Sequence, residues 1–136
     1  MKHYKLIDET FIVLKTIPDK PGIYKIVALN EDNLPMNINR VLDTDQSGTL
    51  YIGKAENLRK RIANLKRAFL PEYKSTKHIG ARRFHSIKSF SLQFPIHSLA
   101  ITFELSKENE TARELEAEKF RIYEKFMGER PPLNRQ

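Results

Sequence analysis

With no cysteine in the chain, its chemistry has to come from phenols, imidazoles, carboxylates and cationic side chains. Thiol nucleophiles, disulfides and Cys-ligated zinc are excluded, and any metal is left with oxygen donors or histidine. From Lys54 to Lys88, eleven Lys and Arg face only Glu56 and Glu72, a local balance of +9, while the whole chain carries +7. The rest of the sequence is therefore slightly acidic, and the basic excess sits in one segment. Such a concentration is the electrostatic footprint of a surface that faces phosphates, although a solvated helix face would give the same count. Just before and within this segment stand two tyrosines in apolar runs, Tyr24 and Tyr51, then Arg61, His78 and His85. Two carboxylates, Glu116 and Glu118, follow in the last apolar-periodic stretch.

The elements that must position these groups can be read from period and punctuation. Pro21-Gly22 precedes Ile23 to Leu29, rich in β-formers and expected to be a strand; Thr49 to Ile52 reads as a second, ending at Gly53. Asn30 to Gly48 reads as a long loop with a short element of its own. Beyond Gly53 the apolar period lengthens to that of a helix: Leu58, Ile62, Leu65 and Phe69 form one stripe, surrounded by Arg59, Lys60, Arg61, Lys66 and Arg67 and closed near Pro71. Lys74 to Lys88 fits a second short helix through Ile79, Arg83 and Ile87, weakened by Gly80. Ser98 to Leu105 reads as a third strand. A last helix is expected from near Asn109, with Ala112, Leu115, Ile122 and Phe126 as its core stripe and Pro131-Pro132 as its stop. This order predicts an α/β (α+β) domain, a small three-stranded, mostly antiparallel sheet flanked by helices, occupying residues 1–136 as a single unit. On adjacent antiparallel strands, Tyr24 and Tyr51 can project from one face. Tyrosines in strands are ordinarily packing residues, so spacing alone does not make them a site.

Pro21-Gly22-Ile23-Tyr24, then Leu50-Tyr51-Ile52-Gly53-Lys54-Ala55 and Arg61, resembles the signature of the GIY-YIG nuclease superfamily, particularly as it occurs in the catalytic domain of UvrC-type repair nucleases. Ala112-Arg113-Glu114-Leu115-Glu116 and Pro131-Pro132-Leu133-Asn134 are similar to the family's late Leu-Glu and Pro-x-x-Asn elements, so the resemblance covers residues 16–134. It implies the GIY-YIG fold and a DNA endonuclease that uses one Mg²⁺ or Mn²⁺. Tyr24, Tyr51 and Arg61 would be catalytic, and Glu116 both catalytic and the metal ligand, with Glu118 as competitor. Arg61 would neutralise the charge that grows on the phosphate, and one tyrosine would orient or deprotonate water while the other positions it. Gly22 and Gly53 would be structural members of the motif, Gly53 turning the chain sharply from strand to helix. Lys54, Arg59, Lys60, Arg67, Arg82, Arg83, His78, His85 and Asn134 are the expected nucleic-acid contacts, Asn134 bracing a carboxylate or the phosphate. Where some members carry a Tyr or His one turn beyond the arginine, this chain has Leu65, and His78 or His85 are candidates to compensate.

The rival reading is a catalytically silent nucleic-acid-binding module of the same fold. No apolar stretch suggests a membrane span or an export segment, so a cytoplasmic protein is expected. DNA is the expected partner. Cleavage specificity has to come from loops, a homodimer or a partner protein.

Overall fold

The computed structural model describes residues 2–7, 14–70, 72 and 76–135. Its centre is a four-stranded antiparallel sheet of strands β1 (Tyr4–Lys5), β2 (Gly22–Ala28), β5 (Thr49–Ala55) and β6 (Leu99–Leu105), in the order β1-β6-β2-β5. The three expected strands are present, and the fourth is the two-residue edge strand β1, too short to carry a periodic signal of its own. β5 does not end at Gly53 but continues to Ala55. Between Ile26 and Val27 the β2–β5 register shifts, Ile26 lying opposite Tyr51 and Val27 opposite Thr49, which leaves Leu50 as an extra residue beside Tyr51. Such a bulge twists its strand and re-aims the neighbouring side chain.

Alternation along β2 splits the core. Tyr24 and Ile26 share one face with helices α1 (Leu58–Ala68) and α2 (Ile79–Ser86), through Leu58, Ile62, Leu65, Phe69, Ala81 and Phe84. Lys25 points to the other face, where burial and then the nearby Lys119 of helix α4 (Ala112–Met127) disfavour its charge. α1 starts where Asn57 caps the Lys60 amide, and its buried positions Leu58, Ile62 and Leu65 are those of the expected stripe. Pro71, its expected terminator, lies outside the described residues, as do Phe11 to Val13 and Lys74. α2 buries Gly80, Ala81 and Phe84 instead of a stripe through Arg83 and Ile87, and a further short helix, α3 (Lys88–Gln93), follows it. The long loop holds a small hairpin, β3 (Ile38–Asn39) with β4 (Thr44–Asp45). Tyr123 donates to Asp45 at 2.9 Å and Arg40 pairs with Glu129 at 2.6 Å, which fastens the hairpin to the last helix.

α4 begins at Ala112 behind a capping box between Thr111 and Glu114, and ends at Gly128 in the left-handed conformation, before the two prolines are reached. Its buried face is Ala112, Leu115 and Phe120, so the first half of the expected stripe and the Phe120 that the sequence also offers to the apolar face are buried, whereas its second half, Ile122 and Phe126, is exposed. Burying Phe120 brings Lys119 to Glu104 on β6, 3.1 Å away, a pairing that the apolar residues by themselves could not indicate. Among the described residues no helix is long and apolar enough to cross a membrane.

Candidate active site on the edge strand

β5 is the outer strand of the sheet, and its unpaired edge is occupied by the C-terminal segment. The Leu133 amide donates to Leu50 O at 2.8 Å, and the Asn134 side chain accepts from Ile52 N and donates to Ile52 O, both at 2.9 Å. Asn134 thus satisfies strand groups that would otherwise be orphaned, and it is buried in doing so.

On the α1–α2 face the two phenols meet diagonally across the β2–β5 register, with ring centroids 6.0 Å apart. Gly53 sits opposite Tyr24, and a Cβ there would lie 2.5 Å from its Cζ and hydroxyl and 2.8 Å from Tyr51 Cε1. Gly53 therefore serves by leaving room for the phenols in mid-strand; the expected sharp turn after it does not occur. Gly80 does the same from α2, where a Cβ would come within 2.8 Å of the Tyr51 ring. The glycine that weakens the sequence signal for α2 is thus required for that helix to approach Tyr51.

Tyr24 is fully buried and Tyr51 is 8% exposed. Burial pushes both phenols above the ordinary tyrosine range, and for Tyr24 the neighbouring Tyr51 adds to the effect, whereas Arg61 opposes it in both. Both are therefore protonated at neutral pH. Arg61 reaches this pair from α1, its Nε 3.4 Å from the Tyr24 hydroxyl, a long contact that leaves the guanidinium half-exposed at the mouth. A shallow depression of about 400 Å³ opens beside it, lined by Lys54, Glu56, Asn57, Lys60, Arg61 and Asn64.

Sequence reasoning placed His78 on a phosphate-facing surface or as a replacement at the site. The structure buries it among Tyr24, Tyr51 and Phe69. Its Nε2 is 2.8 Å from the Tyr24 hydroxyl, and its Nδ1 caps α2 by accepting from the Ala81 amide at 3.0 Å. Desolvation, with Arg61 adding to it, holds its pKa at about 4, so the ring is neutral at physiological pH. The signal available in the sequence was the capping position itself, a polar residue immediately before a helical period.

Glu116 on α4 is half-buried, and Glu118 is exposed. Partial burial raises the Glu116 carboxyl above its usual range, opposed by Lys54, Arg130 and Arg113, and its charge in turn disfavours a Tyr51 phenolate. Carboxylate and phenol thus share one electrostatic environment across the edge strand. Among the described residues there is no group of three or more His, Cys, Asp or Glu able to hold a metal.

Of the other expected nucleic-acid contacts, Arg59 lies along the surface of its own chain: its guanidinium donates to Ile17 O at 2.7 Å, to Asp19 at 3.0 Å and to Lys15 O at 3.2 Å, fastening the 3₁₀ turn Leu14–Thr16 to α1. His85 meets Ala68 O at 2.9 Å, at the end of α1. Both side chains are therefore engaged within the chain while remaining partly exposed. Arg82 and Arg83 do come together with Arg135 around a hollow of about 200 Å³, which Ile79 and Ser86 complete. Arg83 donates from Nη2 to Pro132 O at 3.4 Å, and its Nε is buried with no hydrogen-bond partner among the described residues. The hollow adjoins two elements that themselves touch β5, α2 at Tyr51 and the C-terminal segment at Leu50 and Ile52. Lys54 is exposed, Lys60 is exposed on α1 and Arg67 lies near the end of that helix.

Fold and site together define a small α+β domain with a phenol–guanidinium–imidazole cluster beside a half-buried glutamate, at the edge of a sheet and next to a basic surface. Over 130 residues, 94% of its length, the chain is 28% identical to UvrABC system protein C of Porphyromonas gingivalis, in two strains of that organism. It spans only 18% of the length of those curated relatives. No protein-family model matches the chain, and no solved structure matches it significantly.

Proposed function

We propose that this domain is a nuclease of the GIY-YIG type that hydrolyses DNA phosphodiester bonds with one divalent cation. The observation that carries the reading is that Arg61 of α1 contacts Tyr24 beside Tyr51 of β5, and that Tyr51 feels the charges of both Arg61 and Glu116 of α4. The similarity to UvrABC system protein C supports a nuclease-related role, and the +9 segment supports a phosphate-bearing substrate.

The donor chemistry fits Mg²⁺ or Mn²⁺ better than zinc. A magnesium ion is commonly held by one or two carboxylates and completes its shell with substrate phosphate and water. Glu116 offers one carboxylate, and its partial burial keeps competing water away from part of it. Bound there, the cation would polarise the phosphate and assist the leaving oxygen. The remaining work belongs to the chain. Arg61, fixed charge and half-exposed, stabilises the negative charge that grows on the phosphate oxygens. Tyr51, protonated at rest, donates its hydroxyl hydrogen to a phosphate oxygen while Tyr24 holds it in place, and the attacking water releases its proton to the surrounding solvent. Lys54, Lys60 and the Arg82–Arg83–Arg135 hollow receive the flanking backbone.

The same hollow would serve a catalytically silent nucleic-acid-binding module. Incubation with supercoiled plasmid and with single-stranded DNA, in Mg²⁺ and in EDTA, separates the two. Cleavage that Mg²⁺ supports and EDTA abolishes is expected; DNA binding without cleavage establishes the silent module, and neither binding nor cleavage refutes both.

A further inference from the structure

We propose that His78 is a positioning residue that fixes the direction of a hydrogen-bond chain, His78 to Tyr24 to Tyr51, so that Tyr51 alone presents a phenol to the substrate. This rests on the nuclease reading for its consequence, but the chain itself follows from the geometry.

The direction is set at the helix cap. A neutral imidazole has one bare nitrogen and one N–H. Nδ1 accepts from the Ala81 amide at 3.0 Å and must be the bare one, so Nε2 carries the hydrogen and donates it to the Tyr24 oxygen at 2.8 Å. Arg61 Nε–H also points at that oxygen, from 3.4 Å. Both donors occupy the acceptor side of Tyr24, and its own hydrogen must go elsewhere. The neighbouring hydroxyl is that of Tyr51, whose ring centroid lies 6.0 Å from that of Tyr24, and in the proposed chain the Tyr24 hydrogen goes to it. Tyr24, with no exposed surface, cannot meet a phosphate itself, whereas Tyr51 retains an exposed edge. As the acceptor of Tyr24, Tyr51 keeps its own hydrogen free to point outward. The roles of the two tyrosines, interchangeable in the sequence, are separated by a residue that lies in neither motif word. The groups facing the chain are Arg61 from α1, His78 from α2 and Glu116 from α4.

Two measurements test this. The first needs no substrate: ¹⁵N spectra of the histidine-labelled protein, assigned with His78→Asn, should show the ring at neutral pH protonated at Nε2 and bare at Nδ1, with the Nε2 signal shifting in Tyr24→Phe. A proton on Nδ1 overturns the proposal, because Nε2 would then accept and the chain would run the other way. The second is kinetic. Asn at position 78 retains a cap acceptor for Ala81 but is too short to reach Tyr24, and Tyr24→Phe retains the ring while removing the relay. Each should lower kcat about tenfold with KM unchanged, and the double variant should lose no more than either single one. Losses that multiply in the double variant overturn the proposal. If the ring has the expected tautomer and no variant or parent cleaves DNA, the nuclease reading fails and the chain stands.

Discussion

When the pH falls from neutrality, an unfolded chain takes up a proton on His78 near 6.5, but the folded protein resists until about 4. The resistance has three physical sources. The ring is desolvated, the Arg61 charge is nearby, and protonating Nδ1 would turn it against the Ala81 amide that it caps. A group whose folded pKa is depressed contributes stability above its unfolded value and loses it as the pH falls; here the loss runs from about 6.5 down to about 4 and then levels off. Over that window it amounts to about 3 kcal/mol, a large fraction of the stability of a domain of this size. His78→Asn keeps the cap and removes the titration. Urea denaturation followed by circular dichroism, at a series of pH values from neutral to about 4, should show the parent losing about 3 kcal/mol more than the variant. Carboxylates titrate in both proteins and cancel in the difference. Parallel stability curves would refute the assignment of a buried, neutral, capping imidazole.

Further perturbations address the rest of the site. Arg61→Ala should lower turnover about a hundredfold or more, with a much smaller loss of DNA affinity, because the charge acts on the transition state; equal modest losses in cleavage and in filter binding would make it an ordinary phosphate contact. Glu116→Gln should give a folded, DNA-binding, inactive protein, whereas Glu118→Gln, on an exposed position about 200° around the helix, should keep its activity; cleavage assays with the pattern reversed would move the metal to Glu118. Replacing Arg82 and Arg83 by alanine should weaken DNA binding by a similar factor for all sequences and flatten its salt dependence, measured by anisotropy at several ionic strengths; an unchanged slope would remove that hollow from the interface. Gly53→Ala, whose Cβ would stand 2.5 Å from the Tyr24 ring, should displace the phenols, abolish cleavage and change the near-ultraviolet circular dichroism of the tyrosines; a fully active variant would show the close fit to be unnecessary.

Runs of β-formers and apolar residues at helix spacing were enough to place β2, β5, β6, α1 and α4, although β5 extends three residues beyond the Thr49 to Ile52 run that marked it. The motif words singled out Tyr24, Tyr51 and Arg61, and the basic segment between Lys54 and Lys88 was legible by counting. What the sequence could not contain was direction across elements. The bulge at Leu50, the exposure of Ile122 and Phe126 on α4, and the pairing of Asn134 with the β5 edge each depend on how one element docks on another. Arg59 and Arg61 differ by two positions on one helix; only the packing of α1 decides that one holds the chain's own loop and the other meets Tyr24. His78 belongs with these. A histidine in a basic stretch reads as surface, and it is buried because the cap of α2 and the close approach allowed by Gly80 put it against two phenols from strands more than 25 residues away in sequence. Local spacing specifies which groups share a face, but burial, protonation and hydrogen-bond direction arise from the neighbours that tertiary contact supplies.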